Sequence, residues 1–155
     1  MPTTLVLGYD GSDCSKTALA RTIDLAGAMT DATVVVVYAF EFSIGYVPMG
    51  MTDSPLMMSA EFDDHAQLVR GYGEEQVQSA AGELAAAGVK VERVVAEGRP
   101  VEVLLETAKE YGASLIVVGS HGEGAVAAAF LGSTALKLLH HSKWPVLVVP
   151  RHEKD

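Results

Sequence analysis

The sequence is poor in several things, and each scarcity closes a route. It has a single cysteine, Cys14, so no disulfide can form within the chain, and a lone thiol fits a reducing compartment. Lys and Arg number 11 against 20 Asp and Glu, a net charge of −9. That lacks the clustered cations a nucleic-acid surface needs to displace counterions, so nucleic acid is not an expected partner. No apolar run approaches the roughly 20 residues of a spanning helix, and no basic region precedes a signal core at the N-terminus. No membrane is therefore expected as a partner, and the expected location is cytoplasmic. No lysine stands where G-x4-G-K-[ST] would require one, and the nucleophile elbow G-x-S-x-G does not occur.

What remains is a 155-residue chain, 49% apolar with a mean hydropathy of +0.24, rich in valine and alanine. That length is enough for a real core, and with no internal repeat or linker the expected organisation is one domain over residues 1–155. Thr4 to Tyr9 is a short apolar run that ends in Asp10-Gly11-Ser12, a strand followed by a turn. Ser12 or Asp13 would cap the next helix, in which Ala18, Leu19, Ile23 and Ala26 recur at helical spacing. Val34 to Phe40 is apolar on both faces, as in a central strand of a parallel sheet.

From Glu41 to about Glu61 the periodicity lapses, with Pro48, Pro55 and the methionines Met49, Met51, Met57 and Met58. This stretch reads as a lid, a partner surface or an apolar loop without either role. A long helix follows, with His65, Leu68, Val69, Tyr72, Val77, Ala80, Ala81 and Leu84 expected on its inner face, and with Gly71 and Gly73 weakening its first half. Val89 to Val94 alternates like an edge strand. Pro100 suits the first turn of the next helix and Gly112 its stop. A fourth strand, Ser114 to Val118, runs into Gly119-Ser120-His121-Gly122. After a last helix, a fifth strand lies between Pro145 and Pro150. Five strands alternating with four helices predict an α/β fold, a doubly wound parallel sheet with helices on both faces. Right-handed crossovers limit the strand orders, and the order 3-2-1-4-5, favoured with the family resemblance given below in view, puts a reversal of winding between strands 1 and 4.

A strand that runs into glycines and then a helix start is a common phosphate cradle, because backbone N–H groups can approach an anion where no Cβ intervenes. Here Gly119 and Gly122 are followed by Gly132-Ser133-Thr134 at the start of the last helix. The spacing G-x2-G-x9-G-[ST], with Tyr9-Asp10-Gly11-Ser12 early and Trp144 to Val149 late, resembles the universal stress protein family on its ATP-binding branch. The likeness covers nearly the whole chain. It implies an adenine nucleotide alpha hydrolase-like fold and a homodimeric, stress-response regulator that binds ATP, or AMP or cyclic AMP.

Carried over residue by residue, the resemblance implies that Asp10 accepts from a ribose hydroxyl or helps hold Mg²⁺ carried by the nucleotide. Ala39 and Val118 would flank the base. Gly119 and Gly122 would let the chain pass the ribose and α-phosphate, and Gly132, Ser133 and Thr134 would take the outer phosphates. His121 would contact ribose or phosphate, or be an ordinary loop histidine. Asp10 and the glycines also have plainer readings, as a helix-capping turn and as tight-turn geometry.

The chain departs from the family pattern at Glu123, where many relatives carry a basic residue, and Glu110 to Leu136 contains no Lys or Arg. A carboxylate about 4–8 Å from a phosphate costs on the order of 1 kcal/mol, roughly a tenfold loss of affinity. Binding is therefore expected to be modest and metal-dependent.

Other motifs carry less. Gly122 to Ala127 matches G-x-G-x-x-[GA], but it follows the fourth strand, and no acidic residue ends the next one to take a ribose. Cys14 has no base placed beside it by the sequence. His140 and His141 point to different helix faces and do not form a metal pair. Val146, Leu147, Val148 and Val149 form an apolar last strand expected at an edge, where it would pair with a second copy of the chain or be covered by the tail, Arg151 to Asp155.

The predicted function is a nucleotide-occupied switch that presents a surface to a regulatory partner. The alternatives are a slow ATPase or nucleotide-dependent transferase in the same crevice, and a scaffold that binds no nucleotide. Any hydrolysis would be slow, since no arginine finger or positioned base is evident.

Overall fold

The computed structural model describes residues 2–42, 55–122 and 131–151. Met49, Met51 and Glu123 lie outside the described residues, as does the tail beyond Arg151. In chain order the elements are β1 (Thr3–Gly8), α1 (Asp13–Gly27), β2 (Ala32–Phe40), α2 (Pro55–Ala86), β3 (Lys90–Glu97), α3 (Pro100–Glu110), β4 (Leu115–Gly119), α4 (Ser133–His141) and β5 (Val146–Val149). The strands form one parallel sheet in the order β3-β2-β1-β4-β5, as the sequence predicts.

The period-two alternation of side chains sorts the core into two layers. Leu5, Leu7, Val34, Val36, Val117 and Val149 pack with Ala18 and Leu19 of α1 and with Val77, Ala80 and Leu84 of α2. Val6, Val35, Val37, Ile116 and Val118 point the other way, onto Val103, Leu104 and Ala108 of α3 and onto Ala135 and Leu138 of α4. The central strands are buried on both faces, which is why their sequences read as unbroken apolar runs. The edge strand β3 keeps polar residues outward: Lys90, Glu92 and Arg93 are exposed.

Local signals set the helix ends. The side chain of Ser12 accepts from the Ser15 amide at 3.3 Å and caps α1. Pro100 opens α3, and Gly112, with φ of +61°, follows its C-terminus, a backbone angle that disfavours any side chain.

Helix α2 corrects the sequence reading twice. It begins at Pro55, several residues before the periodicity becomes visible, because proline fits the first helical position and its missing N–H is not needed there. Its inner face also differs from the expected one. Leu68 is 73% exposed, Tyr72 41% exposed, and His65 is exposed as well, whereas Gly73 is buried. The reason is a close approach. A Cβ on Gly73 would stand 2.8 Å from Cε1 of Tyr38, so the helix seats its backbone on that ring and rotates Tyr72 to the flank. There the Tyr72 ring meets Tyr38 edge-on, with centroids 5.9 Å apart. Gly73 thus buries the helix that its low propensity would weaken.

Candidate functional site

β1 and β4 are neighbours in the sheet, but the chain leaves β1 for a helix on one face and β4 for a helix on the other. No connection can fill the gap beyond their carboxyl ends, and a crevice opens there. It has a volume of about 460 Å³, within the usual range for small-molecule sites.

Every residue expected to bind nucleotide lines this one crevice: Asp10, Ala39, Val118, Gly119, His121, Gly122, Gly132, Ser133 and Thr134. The strand order grades its chemistry. Val37 and Ala39 of β2, with Pro100 and Leu104 of α3, make the β2 end apolar. Ser120, His121, Ser133 and Thr134 bring hydroxyls, an imidazole and helix-start amides to the other end.

Gly132 is the N-cap of α4 and supplies no side-chain cap. The amides of Ser133, Thr134 and Ala135 occupy the first turn, where no intrahelical acceptor exists and the helix dipole is positive. All three residues face the cleft.

Gly132 departs from the expectation that it donates to a phosphate. The Gly132 amide donates to the Ser120 carbonyl at 2.7 Å and is not available to an anion. A Cβ on Gly132 would fall 2.9 Å from that carbonyl oxygen and 3.2 Å from Cα of His121. On Gly119 it would meet Cβ of Cys14 at 2.7 Å, and on Gly122 it would meet Oδ2 of Asp10 at 3.0 Å. Each bare Cα therefore faces protein, letting α1, the β1 turn and α4 close around the crevice. These segments converge there because Gly119, Gly122 and Gly132 carry no side chains.

The polar groups are tied together. Asp10 lies two residues beyond the end of β1, and its Oδ1 accepts from the Ser12 amide at 2.9 Å. Ser120 Oγ is 2.8 Å from His121 Nδ1 and 3.7 Å from the buried Sγ of Cys14. Tyr9 is buried, and burial first, then the negative charges of Glu83 and Asp10, push its hydroxyl pKa up.

Among the described residues no group of three or more His, Cys, Asp or Glu side chains could hold a metal ion. Asp10 alone fits a Mg²⁺ that arrives on a polyphosphate, the usual arrangement of one carboxylate plus ligand oxygens. His140 and His141 are exposed on α4, and their rings stand 6.4 Å apart.

The sequence reading missed several lining residues: Gly8, Tyr9, Ser15, Val37, Pro100 and Leu104 among them. Ser120 was visible inside the glycine stretch but had no assigned role. Pro100 and Leu104 carry no motif, and only the packing of α3 across β1 and β2 brings them to the site. No described helix is long and apolar enough to cross a membrane.

Comparison with known proteins agrees with this architecture. The model of the universal stress protein family matches residues 1–150. A universal stress protein of Thermus aquaticus is 35% identical over 147 residues, covering 94% of this chain and 97% of that protein. A universal stress protein solved in complex with cAMP is 28% identical, with a TM-score of 0.65 over 97% of this chain and 98% of its own. An Arabidopsis thaliana member solved with AMP bound is 19% identical, with a TM-score of 0.70 over 97% of this chain and 93% of its own. The chain belongs to the universal stress protein family.

Proposed function

We propose that this chain is a cytoplasmic stress-response regulator that binds an adenine nucleotide in the crevice between β1 and β4, as one domain spanning residues 1–155. One observation carries the reading: a single cleft joins an apolar end at Val37, Ala39 and Leu104 to an uncapped helix start at Ser133 and Thr134. That gradient suits a ligand with a flat base at one end and an anion at the other. In this reading Asp10 would meet a ribose hydroxyl or nucleotide-borne Mg²⁺, and His121 and Gly122 would border the sugar and first phosphate. Relatives solved with AMP and with cAMP support the ligand class. ATP would enter the same cleft with Mg²⁺.

The regulatory output would pass through a homodimer. Among the described residues β5 pairs only with β4, and Val146, Leu147 and Val148 are half-buried in the single chain. The carbonyls of Pro145 and Val149 accept from the Ile116 and Ser120 amides. By the two-residue repeat of a strand, the N–H and C=O of Val146 and Val148 then point outward, an open edge for a second copy. Nucleotide occupancy would alter α4 beside this edge, and with it the surface offered to a regulatory protein.

Calorimetry with AMP, cyclic AMP and ATP·Mg²⁺ tests the binding. Saturable heat is expected, and none at millimolar ligand would select a scaffold with an empty site. Ser133→Asp separates binding from folding. A carboxylate in the first turn favours the helix by a few tenths of a kcal/mol but repels a phosphate, so affinity should fall about tenfold without loss of stability. For the dimer, Val148→Pro removes an outward amide and spares the β4 ladder, so light scattering should report monomers.

A further inference from the structure

We infer that the cleft selects its nucleotide by charge: it takes a nucleoside with one phosphate, open or cyclic, and admits a triphosphate only with a divalent cation. This rests on the adenine-nucleotide reading above and adds which member of that class is preferred.

Among the described residues just beyond the carboxyl ends of β1, β2 and β4, residues 9–15, 41–42 and 120–122 contain no Lys or Arg, yet they carry Asp10, Asp13 and Glu41. Among the described residues lining the cleft there is again no Lys or Arg, and there is one carboxylate, Asp10. Asp10 is held inward, with Oδ1 on the Ser12 amide and Oδ2 beside Gly122.

The arginines that follow β3 and β5 do not line the cleft and lie exposed beside carboxylates. Arg99 lies 3.6 Å from Glu41 and 3.7 Å from Glu102, and Arg151 lies 3.0 Å from Asp13. The phosphate is left with neutral donors, the hydroxyls and amides of Ser133 and Thr134, and with a helix end worth roughly half a positive charge. Such donors suit one phosphate. They do not neutralise a triphosphate, whose added charges also face Asp10.

At a separation of about 8 Å each added charge lowers affinity by roughly 2- to 30-fold, depending on how far water screens it. Metal-free ATP carries about two more negative charges than AMP, so it should bind at least about fourfold more weakly. A bound Mg²⁺ cancels most of the difference.

The test is calorimetry on metal-stripped protein in EDTA at low salt, with adenosine, AMP, cyclic AMP and ATP, followed by ATP with excess Mg²⁺. AMP and cyclic AMP are expected to bind at least about fourfold more tightly than metal-free ATP, with Mg²⁺ restoring most of the loss. Asp10→Asn keeps the Oδ1 acceptor for Ser12 and removes the charge, so it should raise the affinity for metal-free ATP more than that for AMP. Metal-free ATP binding as tightly as AMP would overturn the inference and leave the nucleotide reading standing, as would adenosine equalling AMP. Absence of binding by every ligand would overturn both. The wild-type comparison is decisive even where the variant does not fold.

Discussion

Two glycines in this chain should respond to the same substitution with opposite signs. In Gly119→Ala the new methyl group would sit 2.7 Å from Cβ of Cys14, 2.8 Å from its carbonyl carbon and 3.0 Å from its carbonyl oxygen. Gly119 does not occupy the left-handed region, so backbone strain plays no part and the penalty is steric. Two of the three obstacles are main-chain atoms in the first turn of α1, so no rotamer change relieves them, and the helix must move off β4. Overpacking of this kind costs about 1–3 kcal/mol, and near 2 kcal/mol the midpoint of thermal unfolding falls by roughly 4–8 °C for a chain of this size.

Gly82, on an exposed turn of α2, has no atom within 4 Å of the position a Cβ would take. Alanine there gains helix propensity of about 0.8–1 kcal/mol, raising the midpoint by roughly 2–4 °C. Thermal and urea unfolding followed by circular dichroism measure both. Cys14→Gly in the Gly119→Ala background removes the Cβ clash alone and should rescue only part of the loss. If Gly119→Ala matched Gly82→Ala in sign, α1 would not be packed on β4 through a bare Cα, and the account of how the crevice is closed would fail.

Other consequences are smaller in scope. Gly73→Ala should destabilise by about 1 kcal/mol or more despite better propensity, because its methyl group meets the Tyr38 ring, whereas Gly71→Ala, with open space around it, should be neutral or stabilising in the same unfolding assay. Tyr9 has a raised pKa from burial and from Glu83 and Asp10, so the folded state resists its ionisation. The associated stability is fully present below the ordinary value of 10.0 and is lost as pH rises through the higher folded value. Ultraviolet titration of wild type against Tyr9→Phe should show the late-ionising tyrosine missing from the variant. Asp31 accepts from Lys90 Nζ at 2.5 Å, and that hydrogen bond, with the lysine's charge, holds its carboxyl below 3.8. Its contribution is present above pH 3.8 and lost as pH falls through the lower folded value, and carboxyl NMR of Lys90→Met should show the pKa returning upward.

Much of the fold is written in the chain because its strands announce themselves. Val34 to Val37 and Ile116 to Val118 are apolar without interruption, which only a two-sided burial explains. Crossover handedness and the alternating edge strand limited the strand orders, and the family resemblance pointed to the one observed. Helix α2 was harder. Its inner face is set by Gly73 against Tyr38, a contact between residues far apart in the chain that no periodicity encodes.

At the site, residues with unusual backbone demands were legible, and the glycine stretch led directly to the crevice. Their purpose was not, because a sequence shows that a Cβ is missing but not which atoms occupy the space. Gly132 reads like a donor to phosphate, yet its amide belongs to Ser120. Pro100 and Leu104 reached the cleft wall unnoticed, since α3 has an ordinary amphipathic pattern and only packing gives it a second duty.

The direct test of the central idea is a nitrogen-resolved amide spectrum of the protein titrated with AMP. The amides of Ser133, Thr134 and Ala135 should shift together and saturate with one affinity, with Gly122 and Ala39 following and the Gly132 amide moving least. Shifts confined to another surface, such as the groove between Arg70 and Arg93, or a spectrum unchanged at millimolar AMP, would contradict it.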